Sequence, residues 1–183
     1  MSIVRWMLTV IAFPIGGWIA SVVLGQVDSA LSAAGAALVA GSVVGGVQWA
    51  AIGRATTWRW MVGTLVGFAV GSAIAYTVFA GSIDMWDLAI TGLLAGAFVG
   101  IGQGVALRRG WRTAMAWAAL TGAVWAVGWV VSLAVITANA SQYIVFGLSG
   151  ALVVTVVTGI VLRWILGAPR RAVRPHPVPS AAV

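Results

Sequence analysis

The fold is decided by Gly41–Arg54, GSVVGGVQWAAIGR, in which a Gly-x-x-x-Gly step leads into a glutamine, an apolar turn and an arginine. The same order of residue types returns at Gly96–Arg109, GAFVGIGQGVALRR, and more faintly at Ala151–Trp164, ALVVTVVTGIVLRW. Aligned at constant offset, Ala37–Arg54 and Gly92–Arg109 agree at eight of eighteen positions, among them Gly41/Gly96, Gly45/Gly100, Gln48/Gln103 and Arg54/Arg109. Composition alone inflates matches of alanine, valine and glycine, but the chain holds only four glutamines, so a glutamine pair in register carries weight. The third copy sets Gly147, Gly159 and Arg163 in register with Gly92, Gly104 and Arg108, and places Thr158 where the glutamines stand. We read the chain as three copies of one hairpin, about 1–54, 55–109 and 110–166, followed by a tail at 167–183.

The solvent of these hairpins follows from composition. Of 183 residues, 62% are hydrophobic and 7% charged, and the mean hydropathy is +1.08. So few charges cannot cover a water-facing surface. Six apolar segments stand out, about Val4–Leu24, Ala30–Ile52, Trp58–Ala80, Met85–Leu107, Thr113–Ile136 and Tyr143–Leu166. Each is long enough as a helix to cross a hydrocarbon layer that takes about 20 residues, and none alternates as a barrel strand would. The first run is too long for a signal-peptide core and shares Arg5-Trp6-Met7 with Arg59-Trp60-Met61, so it is kept as structure. The expected fold is therefore an all-α membrane protein of six transmembrane helices.

Charge sets the orientation. Ten arginines and no lysine oppose three aspartates and no glutamate. With six spans, every arginine falls on one side and Asp28, Asp84 and Asp87 on the other. The positive-inside rule then puts both termini in the cytoplasm, with Arg54, Arg109 and Arg163 marking the cytoplasmic interface. Two spans per copy make successive copies parallel repeats about a pseudo-threefold axis along the membrane normal. The tail, rich in arginine and proline, reads as an irregular cytoplasmic extension that either lies against anionic headgroups or is simply solvated. Scattered between apolar spans, the arginines report topology and not nucleic-acid binding.

Glycines at four-residue steps form contact stripes: Gly41 and Gly45 on span two, Gly63, Gly67 and Gly71 on span three, and Gly92, Gly96, Gly100 and Gly104 on span four. Pro14 is expected to bend span one. Trp6, Trp58, Trp60, Trp111 and Trp164 flank arginines and Trp86 stands beside outer aspartates, positions of interface anchors. Trp18, Trp125 and Trp129 lie deeper; Trp125 and Trp129 share a face one turn apart, where lining a cavity and lipid-facing or core packing are both open. Asp84 and Asp87 are placed to cap span four.

Gln48, Gln103 and Thr158 sit at one depth, about 7–9 Å inside the arginine boundary. Three readings are weighed for them: hydrogen bonds to a neighbouring helix backbone, a polar ring lining a ligand or ion site, and, least favoured, ligation of a cofactor. Cysteine is absent and the one histidine, His176, lies in the tail. With no acid, histidine, lysine or cysteine within a span, neither a general base nor a metal or cofactor site is expected, and the chain is read as no enzyme.

The phrase Gly45-x-x-Gln48-Trp49-x-x-Ile52-Gly53-Arg54, followed by Trp58 and Trp60, resembles small bacterial multi-span membrane proteins that repeat a G-x-x-Q-W-x-x-L-R hairpin. The resemblance covers the membrane region. It departs at Gly104, which replaces the tryptophan in the second copy, and at Thr158 in the third. It implies a multi-pass protein of the bacterial inner membrane and no particular activity. In size and span count the chain is also similar to substrate-binding subunits of energy-coupling-factor vitamin transporters. Two functional classes follow as expectations: an accessory or scaffold subunit packed against other membrane proteins, and a protein that binds or transports a small molecule or ion through its polar ring.

Overall fold

The structure is a computed structural model and describes residues 1–135 and 147–167. The tail from residue 168 onward, Ile136 at the expected end of span five and Tyr143 at the expected start of span six lie outside the described residues. Seven α-helices make up the described chain: α1 (Ile3–Met7), α2 (Ala12–Leu24), α3 (Ala30–Ile52), α4 (Arg59–Phe79), α5 (Met85–Leu107), α6 (Trp111–Val135) and α7 (Leu148–Gly167). A 3-10 turn, Leu8–Ile11, joins α1 to α2 into one continuous helical unit, Ile3–Leu24. The result is six helical units of 20 to 26 residues, each long and apolar enough to cross a membrane.

The helices begin and end where local chemistry dictates. Ser29 and Ser32 form a reciprocal capping box at the start of α3, satisfying amides that have no acceptor inside the helix. Asp84 occupies the N-cap position of α5 but makes no side-chain cap bond, and Asp87 lies in the first turn, where its charge faces the positive end of the helix dipole. Helices α2 and α3 stop at Gly25 and Gly53, whose φ values of 73° and 66° are open to glycine without cost. The irregularity expected from Pro14 appears one turn upstream of it, as the 3-10 winding of Leu8–Ile11. A proline ring clashes with the carbonyl four residues earlier, which here is Val10, and the tighter winding falls there.

Consecutive helices pack on one another from α2–α3 through to α6–α7. Helix α7 returns to α1 and the 3-10 turn and closes a ring, although it touches α2 only slightly. The short connections make neighbours antiparallel, so the described arginines gather at one end and the aspartates at the other. Contacts tie the arginine end together: Arg5 donates to the carbonyl of Ala50 at 3.1 Å, and Arg109 to that of Leu166 at 3.2 Å. Both carbonyls belong to the last turn of a helix, where no intrahelical amide reaches them.

Glycine makes this packing close. The stripe of Gly63, Gly67 and Gly71 on α4 faces α5. A Cβ on Gly63 would lie 2.5 Å from the carbonyl carbon of Gly102, and one on Gly71 would lie 2.6 Å from Cα of Ala95. The stripe of Gly92, Gly96, Gly100 and Gly104 is on the other side of α5 and faces α6. There Trp125 and Trp129 cover Gly92 and Gly96, while Ala118 and Ala114 press on Gly100 and Gly104. Gly41 and Gly45 meet Leu65, Met61 and Thr64 of α4 in the same way. In lipid, association gains little from apolar burial, so backbone approach of this kind supplies the packing energy.

The interior has two apolar layers. One contains Phe13, Phe68, Trp125, Trp129 and Val99; the other, at the arginine end, contains Trp6, Ile52, Trp60, Leu107, Trp117 and Leu162. Trp125 is a packing residue, with ring centroids 5.1 Å from Phe68 and 6.1 Å from Phe13. Outside, valine, leucine, isoleucine and tryptophan are exposed along all six helical units, the inverse of a surface built for water.

Two interface anchors expected from sequence are corrected. Trp6 and Trp60 are 1% and 0% exposed and lie inside the bundle. The reason is helical phase. Trp58 and Trp60 are two residues apart, roughly 200° around a helix, so when one faces outward the other must face the core. Of the expected anchors, Trp58, Trp86, Trp111 and Trp164 are exposed.

Candidate functional site

Three tryptophans meet inside the arginine end. Trp6 and Trp60 stand edge to face with centroids 6.4 Å apart, and Trp60 and Trp117 are tilted at 6.1 Å. A buried indole keeps its N–H, which in a dry interior must find an acceptor. Each of the three finds one on a neighbouring helix. Trp60 Nε1 donates to Gln48 Oε1 at 3.3 Å, Trp117 Nε1 to Gln103 Oε1 at 3.1 Å, and Trp6 Nε1 to the carbonyl of Thr155 at 2.9 Å.

The glutamines join these pairs to each other. Gln103 Nε2 donates to Gln48 Oε1 and to Thr64 Oγ1, both at 3.0 Å, and Thr64 in turn donates to the carbonyl of Trp60 at 2.8 Å. Both amide hydrogens of Gln103 are thereby placed and its oxygen accepts an indole, which uses three of its four hydrogen-bonding positions. Gln48 is used on one side only. Its oxygen accepts two donors, which fixes the amide against a flip, since a flip would set N–H against N–H. Its Nε2 makes no hydrogen bond to the described residues. Both glutamines are buried, at 6% and 3% exposure.

Of the three residues placed at one depth by the sequence, the structure thus brings Gln48 and Gln103 into direct contact. Thr158 is buried but turns its hydroxyl to the carbonyl of Val154 on its own helix. Of the arginines, Arg109 reaches α7 while Arg54 and Arg163 are exposed. Sequence reasoning missed Trp117 and Thr64 and misplaced Trp6 and Trp60. A signal existed, because tryptophans at 6, 60 and 117 recur at nearly the spacing of the glutamines.

Amide, indole and hydroxyl groups can hold a neutral polar group or each other, but they do not exchange protons near neutral pH. The network contains no carboxylate, imidazole or amine, and among the described residues no three His, Cys, Asp or Glu side chains come together. Compared with known proteins, the chain matches no family model, no curated protein and no solved structure.

Proposed function

We propose that the chain is a non-catalytic, multi-pass protein of the bacterial inner membrane that acts as an accessory or scaffold subunit against other membrane proteins. In this reading its three hairpins surround a pseudo-threefold axis, with the arginine end and both termini in the cytoplasm and the arginines beside anionic headgroups. The observation that carries the reading is the state of the core. Gln103 places both amide hydrogens and an oxygen lone pair on Gln48, Thr64 and Trp117, all within the bundle. An interior occupied in this way serves to lock helices, which leaves the outer faces and the exposed tryptophans for partners. A second reading, binding or transport of a small molecule or ion through the same polar core, draws on the unused amide nitrogen of Gln48.

Extraction from native membranes in mild detergent separates the two. A protein co-purifying in fixed stoichiometry supports the scaffold, whereas a monomer carrying a small molecule supports the alternative. Orientation has its own test, because the chain has no cysteine to interfere. Thr57→Cys lies in the arginine-side connection and Ile83→Cys in the aspartate-side one, both exposed. In intact cells a membrane-impermeant maleimide is expected to label the variant at 83 and spare the one at 57. The reverse pattern would overturn the proposed topology.

A further inference from the structure

The three places where a core tryptophan meets the preceding hairpin are unequal. Between α3 and α4, a Cβ on Gly45 would lie 2.8 Å from Cβ of Thr64; between α5 and α6, one on Gly100 would lie 3.0 Å from Cβ of Thr121. Glycine there lets each pair close. The glutamines are 55 residues apart, and the same offset carries Gly96 to Ala151 and Gly100 to Thr155. Helix α7 therefore presents a threonine where its counterparts present glycine. Consistent with that, α7 meets α1 and the 3-10 turn but scarcely touches α2.

The opposing side of this seam also differs. Thr64 and Thr121 each follow a core tryptophan by four residues and donate back to its carbonyl, at 2.8 Å in both cases. Thr9 follows Trp6 by three residues. The 3-10 winding keeps it on the inner face, but no helical carbonyl receives its hydroxyl. Thr9 and Thr155 are each 1% exposed, and neither Oγ1 has a hydrogen-bond partner. The third unmatched group is Gln48 Nε2. Gln48 of α3 accepts from Gln103 of α5, but at the equivalent step onward the acceptor would be residue 158, a threonine whose hydroxyl turns to Val154 of its own helix.

The elements that carry these groups meet one another. The 3-10 turn packs on both α3 and α7. Trp60 bonds Gln48 and stands edge to face with Trp6, and Trp6 bonds the backbone of Thr155. We propose that the seam between α7 and the 3-10 turn is a binding site for a water molecule, bridging Gln48 Nε2, Thr9 Oγ1 and Thr155 Oγ1. The chemistry selects the guest. The groups bring no charge, so a buried ion would stand uncompensated. Tryptophan rings fill the surroundings, which keeps the guest small. Water accepts from the amide and exchanges hydrogen bonds with two hydroxyls, within the two to four partners typical of buried water. It takes the place of the amide that Thr158 lacks. The site stands on these unmatched groups and not on the scaffold role, so either can fail alone.

The test is nuclear magnetic resonance of the full chain in nanodiscs, reading magnetisation transfer from water to glutamine side-chain amides. Gln48 is expected to show a water cross-peak and Gln103, whose two amide hydrogens both go to protein oxygens, none; Gln48→Leu assigns the signal. Absence of the peak at Gln48, or equal peaks at both residues, overturns the proposal. Thr158→Gln should erase the Gln48 peak and raise the melting temperature by roughly 2–4 °C. If that variant does not fold, Thr9→Val and Thr155→Val decide. A hydroxyl bonded to water loses a partner on this exchange and the melting temperature falls. A hydroxyl bonded to nothing is better replaced by a methyl, so an unchanged or higher melting temperature overturns the site.

Discussion

Gly63→Val is expected to abolish the folded bundle, with loss of monodisperse protein in mild detergent and no cooperative thermal transition. The Cβ alone would stand 2.5 Å from the carbonyl carbon of Gly102, and a further atom of α5, Cα of Gly102, lies at 2.9 Å. Overpacking costs about 1–3 kcal/mol where side chains can move aside. Here the obstacle is backbone on a helix that is itself held against α6 by the glycines of its other face. Separating α4 from α5 forfeits the dispersion contacts along the whole crossing, and in lipid little else replaces them. Gly63→Ala should fall between valine and wild type. Gly46→Ala is the matched control: its nearest neighbour is Met61 Sδ at 3.8 Å, an ordinary contact. Removing a helical glycine there should be neutral or stabilise by about 0.5–1 kcal/mol. Equal stability of the alanine variants at 63 and 46 would show that the α4–α5 crossing does not depend on backbone approach.

What the sequence revealed is what depends on position along a helix, and what it hid depends on position around one. Apolar length exposed the six helical units. The expected bounds of Ala30–Ile52 and Met85–Leu107 coincide with α3 and α5, because a serine cap, an aspartate and glycine or arginine stops are written into those sites. The glutamines were set at one depth by counting back from the arginines, and depth was all that counting could give. Which neighbour each amide faces depends on helix rotation, which no single residue type declares. Trp6 and Trp60 show the cost, since closeness to arginine suggested an interface while phase put them in the core. The two-residue step from Trp58 to Trp60 contained the answer, because residues so spaced cannot share a face. Thr158 shows the converse limit. It matches the glutamines in register, but register does not lengthen a side chain, and its hydroxyl returns to Val154.

Gln103→Leu should cost more stability than any other polar substitution in the bundle. The change removes three hydrogen bonds, from Trp117, to Gln48 and to Thr64, and strands an indole N–H in an apolar layer. Interhelical bonds in lipid average about 0.6 kcal/mol and reach about 1.7, so three of them and an orphaned donor place the loss at roughly 2–4 kcal/mol. Gln48→Leu breaks two bonds and should cost less. The substitutions share the 3.0 Å bond between the amides, so the double variant should lose less than the sum of the singles in a denaturant titration in bicelles. Trp117→Phe in the Gln103→Leu background should recover part of the loss, because a phenyl ring needs no acceptor and the stranded donor disappears. Full additivity of the two glutamine changes would mean that the amides do not act through one another, and no recovery with phenylalanine would mean that the indole N–H found another acceptor. The asymmetry between the glutamines follows from geometry alone: Gln103 places both amide hydrogens and Gln48 neither, so the bundle leans on α5 more than on α3.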